Sequence, residues 1–246
     1  MSSFDLNIEN LRALNADFGG KRRYAHPKML CYTQYDKKKY YVYVLNLEKS
    51  LEKLKKLKNV LKEIDQEGKK ILFVATKEVA KGLLEKFITK TNHFFIDKRW
   101  LGGVLTNFDS IQKQIFLLQE MYARENKGLI NLLTKKERVF FQKKKINLEN
   151  NLKGILEMSK IPDYLFIIDP QREKIALKEA QKLQIPVLAL VKTNVNPEKF
   201  EHFVPINDGS REVLELIMKN ITENCLQSKN NFKKIINKEV AETKTK

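Results

Sequence analysis

Three short runs in this chain are apolar at almost every position: Ile71 to Ala75 (ILFVA), Tyr164 to Ile168 (YLFII) and Val187 to Val191 (VLALV). A strand with one wet face alternates apolar and polar residues. A continuous apolar run has to be covered on both faces, which is the condition inside a parallel sheet. Parallel neighbours cannot be joined by a tight turn and need long crossovers, usually helices. The intervening sequence supplies them. Leu47, Leu51, Leu54, Leu57, Leu61 and Ile64 recur at three- and four-residue steps and predict a helix from about Leu47 to Gln66, stopped by Gly68. Further helices are expected at about Lys77 to Thr89, Arg172 to Leu183, and Ser210 to Cys225, the last with Ser210 as N-cap and Glu212 in its first turn. Tyr40 to Leu45, His93 to Ile96 and Phe203 to Ile206 read as additional strands. All six prolines, at 27, 162, 170, 186, 197 and 205, fall at the edges of these elements. The predicted class is α/β: a Rossmann-like, three-layer parallel sheet with helices on both faces.

The alternation breaks once. Between Phe108 and Glu157 no strand pattern occurs. Ile111, Ile115, Leu118 and Tyr122 form one helical stripe, and Phe140, Phe141, Leu148, Leu152 and Ile155 form a looser second one. The joining segment, Lys127 to Lys136, contains Gly128. This pattern predicts an inserted antiparallel α-helical hairpin that projects and rests on something else. The organisation expected is a basic N-terminal extension (1–39), an α/β domain in two pieces (40–107 and 158–225), the hairpin (108–157) and a flexible basic tail (226–246).

Charge narrows the partners. The net charge is +17, and a compact fold carrying it repels itself unless a polyanion neutralises it. Arginine takes only eight of the 47 basic positions, a lysine bias that an AT-rich genome also writes onto solvated faces. With 42% hydrophobic residues the chain can bury a core, yet no apolar run approaches the roughly 18 residues of a membrane span. Cys31 and Cys225 lie far apart and form no disulfide framework, which suits a reducing compartment. The first ten residues lack the build of a signal peptide.

Catalytic patterns are missing. The turn after ILFVA reads TKEVAKG, without the G-x-G-x-x-G that admits a pyrophosphate and without G-x-x-x-x-G-K-[ST]. Thr76 and Lys77 at a helix start offer a phosphate grip, or else a cap and a surface amine. This pair carries the alternative reading, a nucleotide- or sugar-phosphate-binding enzyme. His26, His93 and His202 have no Cys or His at metal-ligand spacing, and no cofactor or metal is expected. Asp163 and Asp169 flank a strand and read as turn and strand-end residues.

Nucleic acid is the better match. Lys21, Arg22, Arg23 and Lys28 are packed around Tyr24, His26 and Pro27, with Lys37 to Lys39 beyond. Cations interleaved with rings suit RNA, since cations meet phosphates and rings stack on bases. Gly19 and Gly20 in front allow unusual angles or a close backbone approach. A second cluster, Lys98 to Asn107 (KRWLGGVLTN), holds the only Trp and a glycine pair. Trp100 there either stacks on a base or packs against the tight turn. A third lies at the hairpin tip and second arm: Lys135, Lys136, Arg138, Lys143, Lys144 and Lys145, either an RNA contact or a solvated face.

These segments resemble the bacterial and organellar ribosomal protein S2 family of the small subunit. The family's usual FGHxTRxWNPKM appears as Phe18 to Met29, FGGKRRYAHPKM. LEKT appears as Leu47 to Ser50, and ILFVGTK as Ile71 to Lys77. RWLGGxLTNF is unchanged at Arg99 to Phe108. Asp163 to Asn194 matches the family's DxLFVVDP…IPVxAxVDTN stretch. The resemblance covers about Phe18 to Cys225. It implies a Rossmann-like domain with a long α-hairpin, a non-catalytic structural role, and binding of small-subunit ribosomal RNA. It also implies neighbouring small-subunit ribosomal proteins, among them the large mRNA-binding protein, as partners, with no membrane and no small-molecule substrate. The implied location is a bacterial cytoplasm, or an organelle that encodes its own copy. The implied RNA-binding residues are Arg22, Arg23, Lys28, Arg99, Trp100, Gly102, Gly103, Thr106 and Asn107; the basic clusters add Lys21, Tyr24, Lys98, Lys135, Lys136, Arg138, Lys143 and Lys144. Gly20, Tyr24, His26 and Lys192 depart from the family pattern, so contacts made there by relatives are not carried over.

Overall fold

The computed structural model describes residues 6–34 and 41–225. The expectations for Lys37 to Lys39, Tyr40 and the tail from residue 226 fall outside them. The chain runs α1 (Ile8–Ala13), β1 (Phe18–Lys21), β2 (Thr33–Gln34), β3 (Val42–Leu45), α2 (Leu47–Gln66), β4 (Ile71–Val74), α3 (Leu83–Ile88), β5 (Phe94–Ile96), α4 (Phe108–Asn126), α5 (Lys135–Leu152), β6 (Tyr164–Ile168), α6 (Lys174–Lys182), β7 (Val187–Val191), β8 (His202–Pro205) and α7 (Arg211–Cys225).

The main sheet is five-stranded and parallel, in the order β5-β4-β6-β7-β8. Its apolar strands serve two cores because successive side chains point to opposite faces. Ile71, Phe73, Phe166, Ile168, Leu188 and Leu190 pack with α2, α3 and α7. Leu72, Val74, Leu165, Ile167, Val187 and Ala189 pack with α4, α6 and the loop containing Trp100. The predicted three-layer α/β architecture is therefore the one observed. Helix α2 has the bounds read from its leucine stripe, with Asn46 accepting from the Glu48 and Lys49 N–H groups. It ends at Gly68, whose φ of +70° lets the Lys69 N–H close back on the Ile64 carbonyl at 3.1 Å.

Four details differ from the sequence reading. The helix expected over 77–89 is two pieces, a 3-10 turn at Glu78–Ala80 and α3, because Gly82 sits between them at φ +72°. The last strand is displaced by one residue, to His202–Pro205. The N-terminal residues form α1 and, with β3, a small antiparallel sheet of order β1-β3-β2. Leu11, Ala16 and Met29 are fully buried, so this segment is basic in charge but packed like a core element. Finally, Phe140 does not join the hairpin stripe and is 70% exposed. Adjacent helical residues point about 100° apart, so Phe140 and Phe141 cannot both face α4.

Helices α4 and α5 form the inserted hairpin. Gln112 donates to the Ser159 carbonyl at 2.8 Å and Gln119 to the Leu156 carbonyl at 3.1 Å, while Lys145 pairs with Glu125 nearer the tip. This order of contacts makes the helices antiparallel. A reciprocal capping box between Thr134 and Glu137 starts α5. Ile111, Ile115, Leu118 and Met121 are buried along α4, whereas only Leu152 is buried in α5. Among the described residues, no helix is long and apolar enough to cross a membrane.

Candidate RNA-binding surface

The segment after β5 is organised by a residue that the sequence reading passed over. Glu179, in α6, lies 8% exposed beneath the Arg99–Asn107 loop. Its Oε1 accepts from the Trp100 indole N–H at 3.0 Å and the Gly103 N–H at 2.8 Å. Its Oε2 accepts from the Leu105 and Thr106 N–H groups, at 3.0 and 3.2 Å, and from the Thr106 hydroxyl at 3.3 Å. Burial pushes this carboxyl up, but the donors from Trp100, Gly103, Leu105 and Thr106 outweigh burial and hold it below the usual carboxylate range. Gly103 has φ +92°, and a Cβ there would sit 3.1 Å from the Asn107 Cβ. The loop is a cradle closed around an internal anion. Of the two readings of Trp100, packing against the turn agrees with the geometry: the ring is buried and its N–H is engaged by Glu179. Gly103 and Thr106 likewise direct their donors inward. Thr106 is nonetheless exposed as a residue, as are Gly102, Arg99, Lys98 and Asn107, with Lys98 bonded to Asn150 of α5 and Asn107 accepting from the Ser110 hydroxyl at 3.0 Å. The one signal for Glu179 in the sequence was an acid on the inner side of a predicted amphipathic helix.

The N-terminal cluster is held at the carboxyl end of β7. Thr193 donates its hydroxyl to the Gly19 carbonyl at 2.8 Å and accepts the His26 N–H at 2.7 Å. Gly19 is a close-approach position, since a Cβ would lie 2.8 Å from both the Tyr43 carbonyl and Thr193. Gly20 adopts φ +123°, open to glycine but strained for other residues. Beyond this anchor Lys21, Arg23, Tyr24 and Lys28 are exposed. The Arg23 guanidinium lies over the Tyr24 ring at 4.4 Å and that of Arg22 over Tyr43 at 5.2 Å. Lys28 pairs with Glu198.

On the hairpin Lys135, Lys136, Lys143 and Lys144 are exposed, and Arg138 reaches the Asn131 carbonyl at 3.4 Å. Lys145 instead clamps the two helices. It pairs with Glu125 and, at 3.5 Å, with Glu149, and lies 4.9 Å from the centre of the Tyr122 ring. Burial, then the hydrogen bond and charge of Glu149, push the Tyr122 phenol up to about 12. Beside these cations runs an open groove of about 470 Å³, lined by Leu117, Met121, Leu133, Phe140 and Phe141.

The place where an α/β enzyme would hold a ligand is the crevice at the carboxyl ends of β4 and β6, where strand order reverses. Here it is filled by the protein's own charges. Lys77 Nζ lies 2.9 Å from Asp169 and 2.8 Å from Asp208, and Lys192 lies 3.1 Å from Asp208. Asp208 is 1% exposed; burial and the charge of Asp169 push its carboxyl up against the pull of the two lysines. The Thr76 N–H and hydroxyl both go to Glu173, at 2.8 and 2.5 Å. The two groups offered as a phosphate grip are therefore engaged internally. His93 is likewise structural: it accepts the Ile71 N–H at 3.3 Å and pairs with buried Asp65 at 3.1 Å. Among the described residues, no cluster of His, Cys, Asp and Glu is arranged to hold a metal ion.

Comparison with known families places the chain. The model of ribosomal protein S2 matches residues 11–228, which covers the parallel sheet, the hairpin and both loops just described. The chain therefore belongs to the ribosomal protein S2 family, whose members are structural, non-catalytic proteins of the small ribosomal subunit.

Proposed function

We propose that this chain binds small-subunit ribosomal RNA and supports translation as a rigid scaffold within that subunit. One observation carries the reading beyond family membership. The charge is carried by exposed segments anchored to a rigid sheet, Lys21 to Lys28 at the end of β7 and Lys98 to Arg99 after β5. Cations on a fixed frame neutralise phosphates without first being ordered, and each neutralised phosphate releases counterions. The enzyme reading loses support because Thr76 and Lys77 are engaged by Glu173, Asp169 and Asp208. The test is sedimentation of a native lysate through a sucrose gradient. The chain comigrates with the small subunit and is released by high salt or nuclease. A chain found only at the top of the gradient, while other small-subunit proteins sediment normally, overturns the reading.

A second contact rests on the hairpin. Leu132, Val139 and Phe140 are 83%, 60% and 70% exposed next to the apolar groove. Apolar surface clustered this way marks a protein contact more than a phosphate contact. The proposed occupant is a neighbouring small-subunit protein, with the flanking lysines touching RNA. Crosslinking within the intact subunit from a position on α5 identifies it; crosslinks to RNA alone remove the protein contact.

A further inference from the structure

The outward face of α6 carries a row of cations that belongs to none of the basic clusters described above. Lys174, Lys178 and Lys182 are exposed and follow one another at four-residue steps. That spacing sets successive side chains about 6 Å apart along the helix and keeps all three within roughly 80° of arc. Among the described residues, none of the three ammonium groups meets a carboxylate. The two acids of this segment are turned inward, Glu173 onto Thr76 and Glu179 onto the Arg99–Asn107 loop. A solvated lysine face ordinarily mixes signs. Helix α2 does so: Glu48, Glu52 and Glu63 are exposed among its lysines, and Lys56 pairs with Glu52 at 2.8 Å. The α6 row is instead unfavourable for the free protein. Lys174 stands in the first turn, where the helix dipole is positive, and each neighbour in the row is a like charge one turn away. Only Lys182, in the last turn, is favoured by the dipole.

The helix also joins two surfaces already described. At its start, Gln171 donates to the Asn194 carbonyl at 2.6 Å, and the adjacent Thr193 carbonyl accepts the His26 N–H of the N-terminal cluster at 2.7 Å. In its second half, Glu179 holds the Arg99–Asn107 loop through the Trp100 indole at 3.0 Å. From this placement we infer that Lys174, Lys178 and Lys182 form a further RNA site, along which one phosphate backbone passes between the N-terminal cluster and the Arg99–Asn107 loop. The inference rests on the RNA-binding reading above and adds a site to it. The ligand is the sugar-phosphate backbone, because lysine ammonium groups are point charges that neutralise phosphates without reading base edges. Recognition here is therefore independent of sequence. The polyanion also removes the repulsion that the row imposes on the free helix.

The experiment uses the full chain and small-subunit ribosomal RNA, with affinity measured by filter binding across a salt series. One variant combines Lys174→Gln, Lys178→Gln and Lys182→Gln, since glutamine keeps the helix propensity of lysine. Each phosphate contact contributes roughly 0.7 to 0.9 to the slope of log affinity against log salt, so the slope is expected to fall by about 2. A control variant combines Lys55→Gln, Lys56→Gln and Lys62→Gln on α2. It removes the same charge from the other face of the sheet and is expected to keep the parent slope. The melting temperature of the α6 variant stays at or above that of the parent, because like-charge repulsion is relieved. If the α6 slope does not change, or the control lowers it equally, the row is a solvated face and the inference fails while RNA binding stands. A melting temperature below the parent's makes the lysines structural and overturns the inference as well. If the parent itself shows no salt-dependent affinity for the RNA, the RNA-binding reading fails and this site falls with it.

Discussion

Glu179 gives the most recognisable stretch of this sequence an internal anchor. Five donors converge on one carboxylate, three of them backbone N–H groups of the Gly103–Thr106 turn. Removing the acceptor leaves the Trp100 and Leu105 donors buried and the Gly103 and Thr106 donors half-buried without that partner, at a cost of about 1–3 kcal/mol for each that water fails to reach. Glu179→Ala is expected to lower unfolding stability by about 3 kcal/mol in urea titrations. Glu179→Gln keeps one acceptor oxygen but turns an amide against the other donors, so it falls between. The pH dependence follows from the direction of the shift. The folded carboxyl is held below its unfolded value, so the unfolded chain takes up the proton first. The contribution is complete above the ordinary carboxylate value, about 4.3, and drains away as pH falls through the depressed folded value. Urea midpoints of Glu179→Gln should therefore depend less on pH in that acidic window than those of the parent; parallel curves would remove the anion cradle as the cause. Glu173 shifts the opposite way, upward by burial, and opposes Glu179 as pH rises. Neither acid was singled out from the sequence, because a carboxylate's partners come from loops far away along the chain.

At the scale of elements, close approach matters more than propensity. The 3-10 turn Lys153–Ile155 that closes the hairpin lies directly on β5. A Cβ on Gly154 would come within 2.1 Å of the Phe95 carbonyl and 2.8 Å of its ring. Since the obstacle is backbone, relief requires moving the turn away from the strand. Gly154→Ala should cost about 2 kcal/mol and lower the melting temperature. Gly102→Ala, at a position with nothing within 4 Å, should be neutral to within about 0.5 kcal/mol although Gly102 belongs to the family signature. Equal effects at the two sites would overturn the packing argument. The elements themselves were legible in part. The stripe of α2 and the apolar runs of β4, β6 and β7 recur in the structure at nearly the same residues. The hairpin's second arm was legible only as a helix. Which of Phe140 and Phe141 turns inward depends on where α4 lies, and that is a tertiary fact.

At the scale of the whole molecule, the net charge of +17 is not spread evenly in its consequences. Lys77, Lys145 and Lys192 are spent on internal pairs. Lys135, Lys136, Lys143 and Lys144 stand exposed on the hairpin. Each phosphate they neutralise adds roughly 0.7 to 0.9 to the slope of log affinity against log salt. Replacing these four by alanine should reduce that slope, measured with ribosomal RNA, by about one unit per lost contact while leaving the melting temperature unchanged. A slope that falls only when Lys21, Arg22 and Arg23 are replaced would assign RNA to the N-terminal sheet and leave the hairpin to its protein contact.

Periodicity is a local property, and the sequence by itself determined what is local. Strands apolar on both faces required a parallel sheet between two helical layers, and two helical stripes without a strand required a hairpin. Motif and charge pointed to the small ribosomal subunit and to RNA. What the tertiary structure alone decided was the direction of each functional group. It turned the Trp100 and Thr106 donors onto Glu179 and closed the switch-point crevice with Lys77, Asp169 and Asp208. The physical reason is that burial and hydrogen bonding belong to pairs of residues, here as many as 192 positions apart. A residue's neighbours in sequence do not specify its partner in space.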